Sequence, residues 1–283
     1  MSQASTVAAA LESARALGVE RLDAHLLLGH VLERSRAWLL AHGDDALSAG
    51  HAAAFAALAQ RRAAGEPFAY LVGQREFHGL VLAVSSAVLV PRPDTETLVD
   101  WALELLRGEL RDAPAPAVLD LGTGSGAIAL ALKNGWPRAR VWAAERSAEA
   151  LAVARANAAR LALDVRFEAG DWWTALADAA DAPVFDLVVS NPPYIVENDP
   201  HLADLAHEPL AALVSDGDGL GDISRIAAGA TDRLRAGGWL LLEHGWEQAP
   251  AVGAILRRAG FGDVATRTDI EGRARCTGGR LLA

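Results

Sequence analysis

From residue 117 onward the chain alternates short β-forming runs with helical stretches, and the first of those runs ends in glycines. Val118-Leu119-Asp120-Leu121 leads directly into Gly122-Thr123-Gly124-Ser125-Gly126. Further β runs are predicted at 140–144, 165–168, 185–190 and 239–243, with helices at 148–160 and 223–234 between them. Such alternation specifies a parallel sheet covered by helices on both faces. The stretches 264–268 and 276–281 read as two closing strands, the last antiparallel. In a sheet of this kind the ligand lies beyond the carboxyl ends of the strands. The glycine turn is therefore a candidate ligand site before anything else about the chain is considered.

Glycines at a strand end let the backbone approach a ligand closely and take up conformations closed to other residues. The helix that follows offers free N–H groups. No lysine follows the last glycine as a phosphate loop requires, so two ligand classes remain, a dinucleotide and S-adenosylmethionine. Glu145, at the end of the second run, can accept from both ribose hydroxyls of either. Asp120 inclines the reading towards the sulfonium compound, because a carboxylate there suits a cation.

The most informative stretch follows the fourth run, Ser190-Asn191-Pro192-Pro193-Tyr194. Successive prolines have nearly fixed φ and donate no ladder hydrogen bonds. Pro192 also holds Asn191 extended. The expected product is a stiff tip that presents Asn191 Oδ1 and the Pro192 carbonyl as fixed acceptors, with Tyr194 as an aromatic face. Such a tip suits a planar –NH2 group: two acceptors on its hydrogens, a ring on its π system. They would leave electron density on the nitrogen and aim its lone pair at a methyl held by the glycine turn. This is catalysis by orientation and electrostatics.

Ahead of this region, residues 1–65 read as helices only, with Leu22, Leu26, Leu27 and Val31 at helical spacing and Gly18, Gly43 and Gly50 as breaks. Phe77, Val81, Val84, Val88 and Val90 then suggest a β-hairpin, and Asp94 and Thr95 a helix cap. The expected division is a helical bundle over 1–74, a hairpin linker over 75–91 and a ligand-binding α/β domain over 92–283.

Charge and cysteine content narrow the function classes. Lys and Arg number 26 against 36 Asp and Glu, a formal net charge of -10, which disfavours holding nucleic acid by phosphate neutralisation. The single cysteine, Cys276, excludes an intrachain disulfide. No run approaches the ~18 apolar residues of a membrane helix, and no secretory leader is evident, so a cytoplasmic location is expected. No HExxH pair or cysteine cluster points to a metal.

The motifs together resemble the release-factor glutamine methyltransferases, the HemK/PrmC family. The resemblance spans nearly the whole chain. It is carried by Asp23 to Leu28, Arg61-Arg62, Gly65-Glu66-Pro67, Tyr70 to Gly73, Arg75-Glu76-Phe77, Pro91 to Glu96, Asp120 to Leu130, Asn191 to Ile195, Glu208-Pro209 and Leu242 to Gly245. It implies a seven-stranded Rossmann-like methyltransferase domain with a small N-terminal helical domain and a linking β-hairpin. It also implies methyl transfer from S-adenosylmethionine to the side-chain N5 of the glutamine in the Gly-Gly-Gln motif of class 1 peptide chain release factors. By the family pattern Gly122, Thr123, Gly124, Ser125 and Gly126 hold the methionine end, Glu145 the ribose, and Asp171 and Trp172 border the adenine, while Asn191, Pro192, Pro193 and Tyr194 hold the substrate amide. Three departures stand out: Glu145 in place of Asp, a shortened 199–208 segment with His207 where an aromatic is commoner, and Ile270 where Tyr is usual. The alternative is an adenine-N6 DNA or RNA methyltransferase, since a similar tip grips an exocyclic amine.

Overall fold

The computed structural model describes residues 6–177 and 179–282. They fall into two compact units, one up to Gln74 and one from Arg75.

The first unit contains five helices: α1 (Val7–Ala16), α2 (Arg21–Leu32), α3 (Arg36–Ala41), α4 (Ala49–Ala63) and α5 (Phe68–Val72). Three begin at a hydroxyl cap, where Thr6, Ser35 and Ser48 accept from the N–H three residues on. Val7, Ala14, Leu27, Leu28, Leu39, Phe55 and Ala59 form its core. Gly50 does not break the chain as its type suggests; it lies in the first turn of α4, where Ser48 already supplies the cap. Arg62 reaches back to Asp23 at 2.6 Å, tying α4 to α2.

The second unit opens with a two-stranded hairpin, β1 (Gln74–Phe77) and β2 (Leu80–Ala83), turning at His78-Gly79. The β-formers Val84, Val88 and Val90 lie beyond it and form no strand. The remaining elements are α6 (Glu96–Arg107), β3 (Ala117–Leu121), α7 (Ala127–Gly135), β4 (Arg140–Glu145), α8 (Ala148–Leu161), β5 (Val165–Ala169), β6 (Phe185–Ser190), α9 (Gly221–Ala230), β7 (Leu234–Glu243), α10 (Ala249–Arg258), β8 (Phe261–Thr268) and β9 (Ala274–Leu281). Seven strands form one sheet in the order β5-β4-β3-β6-β7-β9-β8, with β9 antiparallel to both neighbours. This is the mixed, doubly covered sheet that the alternation predicts.

Side chains alternate between the two faces. Val118, Leu187, Val189 and Leu241 join one core with α6, α7 and the hairpin residues Phe77, Leu80 and Leu82. Leu119, Leu121, Val188, Leu240 and Leu242 join the other with α9, α10 and Trp172. Both layers are needed because the central strands are buried on both sides.

Packing under α9 gives a test. A Cβ on Gly229 would lie 2.2 Å from the Trp173 ring, which is itself fixed by its N–H donating to the Ile226 carbonyl at 3.2 Å. Gly to Ala inside a helix ordinarily gains about 1 kcal/mol, whereas overpacking costs about 1–3 kcal/mol. Gly229→Ala is thus expected to lower the urea unfolding midpoint, and a raised midpoint would show that the indole moves aside freely.

Candidate functional site

The chain places β4 and β5 on one side of β3 and then crosses to place β6 on the other. The strand order reverses between β3 and β6, and the crevice of such a sheet opens at that reversal. Leu121 pairs with Ser190, so Gly122 and Asn191 leave the sheet side by side. The Ser190 hydroxyl donates to the Leu121 carbonyl at 2.6 Å and pins the two strand ends together. The glycine turn and the proline tip, far apart in sequence, are therefore neighbours by register.

The turn is held from below. The N–H groups of Gly122 and Thr123 both donate to the Ala144 carbonyl, at 2.9 and 3.0 Å. Gly122, Gly124 and Gly126 have φ of 74°, 55° and 86°, the left-handed region that only glycine enters freely. Asp120 is fully buried, accepting from the Thr123 hydroxyl at 2.6 Å and the Ala129 N–H at 3.2 Å. Its Oδ1 has no hydrogen-bond partner. Burial raises this carboxyl to about 7, against the pull of its Thr123 and Ala129 bonds.

Glu145 ends β4 and reaches back into the turn. Its Oε2 accepts from the Gly124 N–H at 2.9 Å and its Oε1 from the Ser147 N–H at 2.9 Å. The carboxylate thus braces the glycine turn against the start of α8, and each oxygen keeps a lone pair for a further donor. On the other wall the Trp172 ring lies under Gly122, where an added Cβ would come within 3.1 Å of it. The indole N–H donates to Asp222 at 3.0 Å, so α9 fixes the ring. Asp171 beside it has a buried Oδ1 with no hydrogen-bond partner.

These walls line an open cleft with a cavity volume of about 170 Å³. Of the residues singled out from the sequence, Gly122, Gly124, Glu145, Asp171, Trp172, Asn191 and Pro193 line it. Thr123, Ser125 and Gly126 do not. Thr123 and Ser125 are buried, the latter giving its carbonyl to Asn157 at 2.9 Å, and Gly126 caps α7 against Leu130. Their part is to shape the turn. Pro192 and Tyr194 are likewise not among the lining residues. Pro192 is buried, and the Tyr194 hydroxyl lies 3.5 Å from Glu243 Oε1. Burial, with the nearby Glu243 charge, pushes the Tyr194 phenol well above its ordinary range.

Sequence reasoning missed several parts of the site. Residues 87–89, Pro209, Ala211 and Ala212 also line the cleft. Glu208 joins them by accepting from the Val90 N–H at 3.0 Å and from the Arg92 guanidinium. Arg146 donates to the Ala211 carbonyl at 2.7 Å. Thr95, expected to cap α6, makes no cap; a 3-10 turn at Pro93–Thr95 precedes that helix, and the Thr95 side chain turns inward to Asn191. The resemblance, which takes in Thr95 and Glu208-Pro209, marked these three as family positions without saying what they contact.

The cleft fits a nucleoside with a charged tail. Glu145 can take ribose hydroxyls, Asp171 Oδ1, which is ion-paired with Arg146 at 3.8 Å but accepts no hydrogen bond among the described residues, can take an exocyclic amine, and the glycine turn allows close backbone approach. Among the described residues no group of three or more His, Cys, Asp or Glu is placed to hold a metal, and no helix is long and apolar enough to cross a membrane.

Comparison with known proteins agrees with this geometry. The family model of the PrmC N-terminal domain matches residues 5–73, and that of the methyltransferase small domain matches residues 95–218. A release factor glutamine methyltransferase of Bordetella pertussis is 54% identical, the match covering 93% of this chain and 96% of that protein. Namesakes from Xylella fastidiosa (Temecula1) and Escherichia coli K12 are 50% and 45% identical, covering 96% and 92% of this chain and 97% and 92% of theirs. Among solved structures, the METTL16 methyltransferase domain lacking its N-terminus superposes with a TM-score of 0.54 at 22% identity, covering 74% of this chain and 92% of that one. A Pyrococcus furiosus methyltransferase gives a TM-score of 0.51 at 17% identity, covering 72% and 90%. At these identities the structures establish the Rossmann-like methyltransferase fold alone.

Proposed function

The chain belongs to the release factor glutamine methyltransferases, S-adenosylmethionine-dependent enzymes, and from that premise we propose that it methylates N5 of the glutamine in the Gly-Gly-Gln loop of class 1 peptide chain release factors. The observation that carries this reading is the register of β3 against β6, which sets Asn191 beside Gly122.

S-adenosylmethionine supplies an electrophilic methyl on a sulfonium. The Gly122 to Gly126 turn would hold its methionine end, Glu145 its ribose, and Asp171 with Trp172 its adenine. Asn191 Nδ2 donates to Thr95, and among the described residues Oδ1 accepts no hydrogen bond; Oδ1 would take one N–H of the substrate carboxamide and the Pro192 carbonyl the other. An amide nitrogen is a poor nucleophile because its lone pair is delocalised. Two acceptors on its hydrogens oppose that delocalisation and fix the lone pair's direction. No strong base is required before transfer, since the nitrogen sheds a proton readily once methylated. Pro193 stiffens the tip, and Tyr194 backs it.

The first unit has no such chemistry, and its role in this reading is to recognise the release factor outside the reacting loop. Full activity in a chain lacking residues 1–74 would oppose that role. The site of transfer in a cytoplasmic translation-termination enzyme is tested directly by incubating the protein with a class 1 release factor and methyl-labelled cofactor. Mass analysis should place one methyl on the Gly-Gly-Gln glutamine. Label on an adenine-containing oligonucleotide instead would favour the exocyclic-amine alternative.

A further inference from the structure

Trp172 carries an unusual backbone for a residue of its size. Its φ is 45°, in the left-handed region that bulky side chains disfavour. Such a conformation persists only where neighbouring groups hold it. The holding contact is on the ring: the indole N–H donates to Asp222 Oδ1 at 3.0 Å, and both residues are buried. Asp222 stands in the first turn of α9 and is itself fixed. Its Oδ2 accepts from the Ser215 hydroxyl at 2.7 Å, its own N–H donates to Ser215 Oγ at 3.0 Å, and its Oδ1 accepts from Arg225 at 2.6 Å. Arg225, three residues on in α9, also faces Asp171 at 3.9 Å. Asp171 and Trp172, neighbours in the cleft wall, are thus both held from α9 by groups that are not among the lining residues.

Resting on the reading of Trp172 as an adenine-side wall, we propose that Asp222 is a positioning residue for cofactor binding: by accepting the Trp172 N–H it keeps the ring in place before the cofactor arrives. The ring lies close under Gly122, where an added Cβ would meet it at 3.1 Å, so even a small swing alters the wall beside the glycine turn. Without the Asp222 oxygen the buried indole N–H loses its acceptor, and the Trp172 backbone is free to leave the left-handed region. Both changes must be reversed when the cofactor binds, and that ordering lowers affinity. A carboxylate suits the task because it accepts only. Trp172 and Arg225 share Oδ1 through separate lone pairs while Ser215 takes Oδ2. The free N–H groups at the start of α9 favour its negative charge.

The test is the S-adenosylmethionine Kd, measured by calorimetry in wild type, Asp222→Ala, Asp222→Asn, Ser215→Ala, Trp172→Phe and the double variant Asp222→Ala/Trp172→Phe. Asp222→Ala should raise Kd about 10-fold, and Asp222→Asn, which still offers the indole one oxygen, less than about threefold. Ser215→Ala removes another partner of the carboxylate and should stay within about twofold of wild type. Trp172→Phe lacks the N–H, so adding Asp222→Ala to it should raise Kd less than about twofold further. An Asp222 that only stabilised the fold would weaken binding equally in both backgrounds. That result, or an Asp222→Ala Kd within twofold of wild type, overturns the inference. If Asp222→Ala fails to fold, benzothienylalanine at position 172, the same ring shape without an N–H, decides, and a Kd within twofold of wild type again overturns it. Every readout is cofactor affinity, so a failure to methylate glutamine counts against the transfer reading alone. A wild type that binds no S-adenosylmethionine removes the cofactor reading and this inference with it.

Discussion

Asn191→Ala is expected to lower the rate of methyl transfer by about 100- to 1,000-fold while changing cofactor affinity by no more than about threefold. The size follows from losing one preorganised acceptor aimed at the reacting group, which in comparable sites costs roughly that much. The selectivity follows from the structure. Asn191 follows the end of β6, and its side-chain bond among the described residues runs to Thr95. The bonds that hold the turn, from Gly122 and Thr123 to Ala144 and from Gly124 to Glu145, do not involve it. Ser190 keeps its bond to Leu121, so the strand ends stay together. Single-turnover transfer and calorimetric cofactor titration on the same preparation check the two halves. Equal losses in both would mean that Asn191 serves chiefly to bind cofactor.

What could be read from the sequence divides along a physical line. The glycine turn and the proline tip were legible because each is a local backbone device: glycines permit φ values that others avoid, and prolines forbid the rest. The strands flanking them were legible because a doubly buried strand is a continuous apolar run. Thr95 was misread because a threonine after Pro93-Asp94 is locally a good cap, and its partner Asn191 lies at a strand end far along the chain. Val84, Val88 and Val90 were misread as strand for the same reason. Their β propensity is real, but no neighbouring strand is available to pair, and the segment instead lies along the cleft at 87–89 with Glu208 taking the Val90 N–H. The start of β7 was missed because Arg235, Ala236, Gly237 and Gly238 carry no apolar pattern, although Leu234 pairs with Phe185. Sequence shows what a segment can do alone; which acceptor a side chain meets is decided by topology.

Glu145→Ala should show the opposite profile to Asn191→Ala: cofactor Kd raised about 100-fold or more, and transfer at saturating cofactor slowed less than about fivefold. The carboxylate has two tasks. It accepts the Gly124 and Ser147 N–H groups, and it is the acceptor available to the ribose in the proposed mode. Hydrogen bonds to a charged group contribute about 1.5–3 kcal/mol each, and 1.4 kcal/mol is a tenfold change in affinity. Loss of the ribose bonds alone accounts for the expected shift. Release of Gly124 adds to it, because a turn no longer held in its binding shape must be ordered when the cofactor arrives. Glu145→Gln separates the two tasks. Its single carbonyl oxygen can serve Gly124 or Ser147 but not both, and its –NH2 can only donate, so an intermediate Kd is expected. If Glu145→Gln matches Glu145→Ala, the negative charge matters more than the geometry of the brace. If both bind cofactor as well as wild type, Glu145 is a structural brace alone, and the ribose must find its acceptor elsewhere in the cleft.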